Sequence, residues 1–366
     1  MARSLTDSLG ITVPILQSGM GGVAGPELVA AVANAGGLGT LAALRLTTDQ
    51  IRRRLDRIRT ATDRPFAMNL WLHDELLYPE PVESISTDTL GQVDAVLNEA
   101  RAALGLERRT TKLAPDGAHP DEAIEVMLAA KVPVFCAAIG LASVEIVERC
   151  HSAGTMVVNM VATVEDAQTA VANGVDVIVA QGAEAGGHRS YGSKRDRRDA
   201  AGTGTMALVP AVVDAVGNQV PVVAAGGIVD GRGLAAAMML GAQGVLLGTR
   251  FVATQESEAN DLWKRQLIAA TGPPKLTDAF TGQWAKTLPA AFADRYAEAQ
   301  APTLPSLRQS AAAADIFAAA RNAEDPDHQP LYAGDAAHLI ADLPAAADAI
   351  GSIIAEAEQA LGRRLA

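Results

Sequence analysis

His188 follows two consecutive glycines in the run Gln181-Gly182-Ala183-Glu184-Ala185-Gly186-Gly187-His188. An imidazole titrates near neutrality and is the side chain best suited to moving a proton at physiological pH. That context separates it from His73, His119, His151, His328 and His338, which lie in loops or helices and read as structural or exposed. Glycines collect at three further places, Ser18-Gly19-Met20-Gly21-Gly22, Gly226-Gly227-Ile228 and Gly248-Thr249, each at the end of a short apolar run. Such clusters let backbone N–H groups approach a ligand closely and permit left-handed turns. Backbone amides at a helix N-terminus hold phosphate, a role that Gly226, Gly227, Gly248 and Thr249 fit. Two amides, Asn69 and Gln181, also end apolar runs. An amide offers donor and acceptor together, which suits the edge of a heterocycle, although either one alone equally suits tying down a loop. Beside a phosphate site they describe a flat phosphorylated ring, and FMN meets that description.

Other cofactor chemistries fit less well. Gly19-Met20-Gly21-Gly22-Val23-Ala24 matches a dinucleotide fingerprint, but no Asp or Glu stands between Glu27 and Asp49 to hold a ribose. Gly192-Ser193-Lys194 lacks the order of a P-loop. No histidine and carboxylate pair has metal-ligand spacing, so no metal site is expected. Cys136, near the end of a strand, reads as a buried apolar thiol, and Cys150 as structural. The segment Arg189-Ser190-Tyr191-Gly192-Ser193-Lys194-Arg195-Asp196-Arg197-Arg198-Asp199 reads as a solvated mobile loop, its alternative being attraction of an anionic substrate to the mouth of the site.

These residues need a scaffold that gathers strand ends. Apolar runs predict strands at Val13–Gln17, Gly37–Ala42, Phe66–Trp71, Val132–Ala138, Thr155–Val161, Val175–Gln181, Val220–Ala225 and Gly244–Phe251. Helical patterns separate them, among them Pro26–Ala35, Thr48–Thr60, Ser143–Ala153, Val164–Asn173, Met206–Val216 and Gly231–Leu240. Eight such units predict a (β/α)8 TIM barrel, whose site forms at the C-terminal ends of the strands. The third unit carries an insertion with helices near Asp88–Leu104 and Asp121–Ala130. The expected division is an FMN-binding barrel over residues 1–262 and an extension over 263–366. That extension is read as wholly helical and packed on the barrel rather than as an independent domain.

Composition bounds the rest. The 366 residues carry a net charge of −12, which disfavours non-specific nucleic-acid binding. Half the residues are apolar, yet no stretch suits a membrane span, and the first ten residues lack the apolar core of a signal peptide. With two cysteines and no disulfide framework, a reducing cytoplasm is the default location. Aromatics make up only 4%, so ring binding is expected to rest on backbone and amides. A homo-oligomer is compatible with all of this.

The motifs together resemble the nitronate monooxygenase (2-nitropropane dioxygenase) family of FMN-dependent barrel enzymes. The likeness runs from Pro14-Ile15-Leu16-Gln17 through Asn34-Ala35-Gly36-Gly37-Leu38-Gly39, the Gln181–His188 run and Ala224-Ala225-Gly226-Gly227-Ile228. It continues through Leu247-Gly248-Thr249-Arg250-Phe251 to Phe280-Thr281-Gly282 and Leu331-Tyr332-Ala333-Gly334. It implies cofactor contacts at Met20, Gly21, Gly22, Asn69, Gln181, Gly186, Gly226, Gly227, Leu246, Leu247, Gly248 and Thr249, and a catalytic base at His188. It further implies a small nitronate or nitroalkane as substrate, dioxygen as co-substrate, and a carbonyl compound and nitrite as products.

The sequence departs from the family at Gly19, where proline is common, at Ser190, where glycine is usual, and at Asp335, where glutamine is common. An NAD(P)H-dependent FMN reductase of quinones or enoyl thioesters is the alternative on the same barrel. A flavin-binding sensor or scaffold without turnover is a third reading.

Overall fold

The computed structural model describes residues 4–79, 81–111, 120–191 and 201–365. Eight parallel strands form the barrel: β1 (Ile15–Gln17), β2 (Gly39–Ala42), β3 (Phe66–Trp71), β4 (Val134–Ala138), β5 (Met156–Val161), β6 (Val177–Gln181), β8 (Val222–Ala225) and β9 (Gly244–Leu247). A two-residue strand, β7 (Gly187–His188), lies outside it. Hydrogen bonding runs β1-β9-β8-β6-β5-β4-β3-β2, and a parallel bridge between Leu16 and Leu38 closes the ring. This is the (β/α)8 barrel that the element count predicts.

Most strands start later than their apolar runs. Pro14, Pro65, Pro133 and Pro221 each stand immediately before a strand. Proline has no N–H to give a ladder, so regular pairing begins one residue on. The expected eighth strand, Gly244–Phe251, ends early at Leu247, because Gly248 opens a helical turn over Thr249–Val252.

Two apolar layers follow from the two-residue period of a strand. Ile15, Met68, Phe135, Ile178, Val245 and Leu247 point out to the surrounding helices. Leu16, Leu38, Ala67, Val134, Val158, Val179 and Val223 point inward, over a floor of Leu5 and Leu9 from the N-terminal helix Leu5–Leu9 and Ile11 just beyond it. Each buried Leu or Val side chain contributes about 1.5–3 kcal/mol relative to exposure. Continuing the inward register up each strand leads from Ala67 to Asn69 and Trp71, and from Val177 and Val179 to Gln181. The alternation that fills the core therefore also aims the polar residues above it.

The extension is not wholly helical, which corrects the composition-based expectation. Strands β10 (Lys275–Thr277) and β11 (Ala285–Thr287) form an antiparallel pair, and β11 also pairs with β7. An alanine-rich average conceals these two three-residue strands. The insertion helix Thr87–Ala103 shares an apolar cluster with the extension, built on Val93, Leu97, Phe280, Phe292 and Phe317. The final helix, Ala346–Leu361, packs on the barrel's outer helices Gly231–Met239 and Pro26–Asn34.

Candidate active site

A cavity of about 660 Å³ opens at the C-terminal ends of the strands. It is lined by the glycine loops after β1, β6, β8 and β9 and roofed by the extension. Of the residues expected from sequence, Met20, Gly21, Gly22, Asn69, Gln181, Gly186, His188, Gly226, Gly227, Leu246, Gly248 and Thr249 all line it. Leu247 does not, because the strand alternation turns its side chain into the outer layer. Any contact from Leu247 must come from its backbone.

The loop carrying His188 is held at many points. Gln181 Nε2 donates to the His188 carbonyl at 2.9 Å, and Gln181 Oε1 accepts from Ser190 N–H at 2.8 Å. Ser190 Oγ donates to the Met160 carbonyl and accepts from Ile139 N–H, both at 2.9 Å. Ile139 itself sits at φ +48°, a left-handed conformation costly for a β-branched residue and held here from both sides. Arg189 is 4% exposed, and its guanidinium donates to the carbonyls of Gly182, Ala183 and Ala185 at 2.7–3.0 Å. Arg189 and the buried Tyr191 are thus structural, which corrects their assignment to a solvated basic loop. The remainder of that segment, residues 192–200, lies outside the described residues. Glu184 accepts from Thr205 N–H at 2.8 Å, placing its carboxylate at the start of the helix Thr205–Val216, where the backbone dipole favours negative charge.

The extension completes the site. β11 sets Ala285 opposite His188, and Lys286 Nζ bridges the Ala183 carbonyl at 2.8 Å and the Asp335 carboxylate at 2.7 Å. The His188 ring lies 4.5 Å from the Trp71 ring and 5.0 Å from Tyr332, centre to centre, and its Nε2 lies 2.8 Å from Thr281 Oγ1. Burial, seconded by the Arg45 cation, pushes the His188 pKa down to about 3, so the imidazole is neutral at physiological pH. Burial raises the Tyr332 hydroxyl to about 12, keeping it protonated.

Cys136 is buried, faces inward on β4, and burial raises its thiol to about 12, far from a nucleophilic thiolate. His73 and His328 are buried, His151 pairs with Asp176 at 2.9 Å, and His338 is exposed. His119 lies outside the described residues. Among the described residues no cluster of three metal-binding side chains occurs, and no helix is long and apolar enough to cross a membrane.

Sequence reasoning missed Trp71, Trp263 and Phe317 as cavity-lining residues, and it did not assign Arg45 to the site. In the sequence Thr281 and Tyr332 stand out only as parts of motifs. Few aromatics are present in the chain, but five of them surround the cavity. The inward register of β3 would have placed Trp71. The others arrive from the extension or from a loop after β2, where no periodicity points.

Barrel, glycine-lined cavity and histidine describe a TIM-barrel site, and the family match makes the protein a flavin-dependent oxidoreductase. The nitronate monooxygenase family model matches residues 2–356, and the chain belongs to that family. A probable nitronate monooxygenase of Staphylococcus aureus (strain Newman) is 34% identical over 93% of both chains. One from Staphylococcus haemolyticus (strain JCSC1435) is 37% identical over 78% of this chain and 77% of its own. Among solved structures, nitroalkane oxidase from Streptomyces ansochromogenes superposes with a TM-score of 0.86 at 34% identity, covering 98% of this chain and 99% of its own. FabK from Thermotoga maritima superposes at 0.73 and 28% identity, covering 99% and 98%.

Proposed function

We propose that the cavity binds FMN and that the protein oxidises nitronates and nitroalkanes with dioxygen, releasing a carbonyl compound and nitrite. The observation that carries this reading is a neutral histidine facing a cavity floored by open glycine backbone. A Cβ built on Gly21 or Gly22 would meet nothing within 4 Å, and one on Gly248 only Met20 Sδ at 3.6 Å and Ser18 Cβ at 3.8 Å. These glycines leave a cradle that a flat ring would fill. Thr40, on the cavity wall, has its side chain hydrogen-bonded to the Cys136 thiol, so the glycine cradle is what remains open to a ligand.

The helix ends favour a phosphate at β9 rather than at β8. Asp230 already caps the helix Gly231–Met239, and Glu356 accepts from Gly231 N–H at 2.9 Å. The turn Thr249–Val252 has no side-chain cap, which leaves Gly248 and Thr249 to a phosphate. Met20, Gly21, Gly22, Asn69, Gln181, Gly186, Gly226 and Gly227 would hold the ring and ribityl chain. When bound, flavin supplies the electron acceptor and the reaction with dioxygen.

The chain's own residues handle the proton and the charge. Neutral His188 takes the α-proton of a nitroalkane, whereas a nitronate arrives without it. The Arg45 cation, close enough to depress His188, also attracts the nitronate anion. Trp71, Tyr332 and Phe280 exclude water around the base.

The test is anaerobic mixing of the purified yellow protein with ethyl nitronate, and separately with NADH and NADPH. Bleaching by the nitronate alone is expected. Bleaching by a pyridine nucleotide alone overturns the proposal in favour of a reductase. His188→Asn is expected to retain flavin, released as FMN on denaturation, and to lose turnover of neutral nitroethane.

A further inference from the structure

The hydroxyl nearest the base comes from outside the barrel. Thr281 is 4% exposed, and its Oγ1 lies 2.8 Å from His188 Nε2. It sits on the turn between β10 and β11, where Gly282 N–H donates to the Asp278 carbonyl at 2.8 Å. Gly282 has φ +81°, and a Cβ there would meet the Leu304 carbonyl oxygen at 2.1 Å, so the turn has little freedom to differ. One strand later, β11 pairs with His188 itself. The turn that bears the hydroxyl thus joins two strands of the three-stranded sheet that carries the base, and that sheet holds the two close together.

A neutral imidazole carries one N–H and one lone pair, so the group bonded to one nitrogen decides what the other nitrogen offers. Thr281 Oγ1 also lies 3.4 Å from both the N–H and the carbonyl of Gln283. A backbone N–H can only donate and a carbonyl can only accept, so these two groups restrict where the hydroxyl hydrogen turns. A hydroxyl achieves this without the negative charge of a carboxylate, which would raise the histidine pKa. Trp71 and Tyr332 limit the ring from its other sides.

We propose that Thr281 is a positioning residue for His188: its hydroxyl fixes the ring rotation and selects a single neutral tautomer. The positional claim stands on geometry alone, and its effect on turnover rests on His188 being the base proposed above.

The experiment compares wild type with Thr281→Val, which keeps shape but loses the hydroxyl, and Thr281→Ser, which keeps the hydroxyl. Thr281→Ala replaces the valine variant if that does not fold. Imidazole 15N spectra of the flavin-free protein, assigned by difference from His188→Asn, report tautomer and titration midpoint. One dominant tautomer is expected in wild type and Thr281→Ser, and a mixture with a shifted midpoint in Thr281→Val. In the flavin-loaded protein, kcat with neutral nitroethane should fall about ten-fold in Thr281→Val with KM nearly unchanged, while turnover of ethyl nitronate is retained. Unchanged 15N shifts and midpoint in Thr281→Val overturn the proposal, as does failure of serine to restore them. Changed spectra in a protein whose wild type turns over neither nitroethane nor nitronate uphold the positioning and sink the nitro reading.

Discussion

Gln181 spans the His188 loop from both ends, its Nε2 on the His188 carbonyl and its Oε1 on the Ser190 N–H, at 2.9 and 2.8 Å. The amide does what neither a carboxylate nor an apolar side chain can, donating and accepting at once. It also restricts what remains for a cofactor, because one lone pair and one N–H are already committed.

Replacing it should therefore be felt in stability as well as in binding. Gln181→Leu leaves a buried carbonyl and a buried N–H without partners, at about 1–3 kcal/mol each. Gln181→Glu keeps the acceptor for Ser190 but turns a buried carboxylate oxygen towards the His188 carbonyl, and should cost at least as much near neutral pH. Urea unfolding of the flavin-free proteins orders the three. Equal stability of wild type and Gln181→Leu would mean that the loop is held without the amide.

The expected pH profile follows from the proposed role of His188 as base. With the His188 pKa lowered by burial and by Arg45, its proton-accepting form persists well below the midpoint of a free histidine, about 6.5. The acidic limb of kcat/KM for neutral nitroethane should fall below pH 5. Arg45→Met removes the cation and should move that limb upward. The sign for stability is the same. Between the folded and unfolded midpoints the unfolded chain binds the extra proton, so this group costs stability as pH falls from about 6.5 towards 3. A limb at pH 6.5 or above in wild type would show that the cavity does not depress the base.

Two kinds of glycine surround the cavity, and one substitution separates them. A Cβ on Gly186 would lie 2.5 Å from the Ala333 carbonyl carbon and Gly334 nitrogen, so Gly186→Ala should destabilise the protein even without flavin. Gly21 has open space, so Gly21→Ala should leave flavin-free stability within about 0.5 kcal/mol of wild type. Its cost should appear as weaker FMN binding by flavin fluorescence titration. Unchanged affinity would remove the loop after β1 from the proposed cofactor site.

Much of this was legible in the sequence because glycine clusters and amides end the apolar runs, and the two-residue period of a strand explains why they meet. That period carries Val177 and Val179 upward to Gln181, and Ala67 upward to Asn69, so core and cavity share one pattern. Gly19 was legible as part of a glycine cluster and as a departure from its family. The structure gives the reason, since a Cβ there would lie 2.5 Å from Asn69 Cβ. Ser190 and Asp335 likewise prove to be tethers of the His188 loop and its clamp. The pairing of β11 with Gly187–His188 was not legible. Strands of two and three residues leave no periodicity to detect, and their pairing joins positions about a hundred residues apart.

The same long reach makes Arg101 a test of how the roof is attached. Its Nε and Nη2 bond both oxygens of Asp315 at 3.0 and 3.2 Å, and Nη2 also reaches the Ala312 carbonyl at 3.0 Å. Arg101 belongs to the insertion helix, whereas Asp315 belongs to the extension that carries Thr281 and Tyr332. Burial alone would raise the Asp315 pKa, but the Arg101 hydrogen bond and charge outweigh it and hold the carboxyl below the usual range. Arg101→Met leaves that carboxylate without its principal partner and should cost about 3 kcal/mol near neutral pH. Because the folded carboxyl is the more acidic, its contribution is present above the unfolded midpoint of about 3.9 and is lost as pH falls through the folded value. The stability gap between wild type and Arg101→Met should therefore stay level from pH 8 to 6 and narrow below about pH 4. Urea unfolding across that range reads it directly. A gap that persists undiminished into acid would assign the loss to packing of the arginine stem rather than to the ion pair.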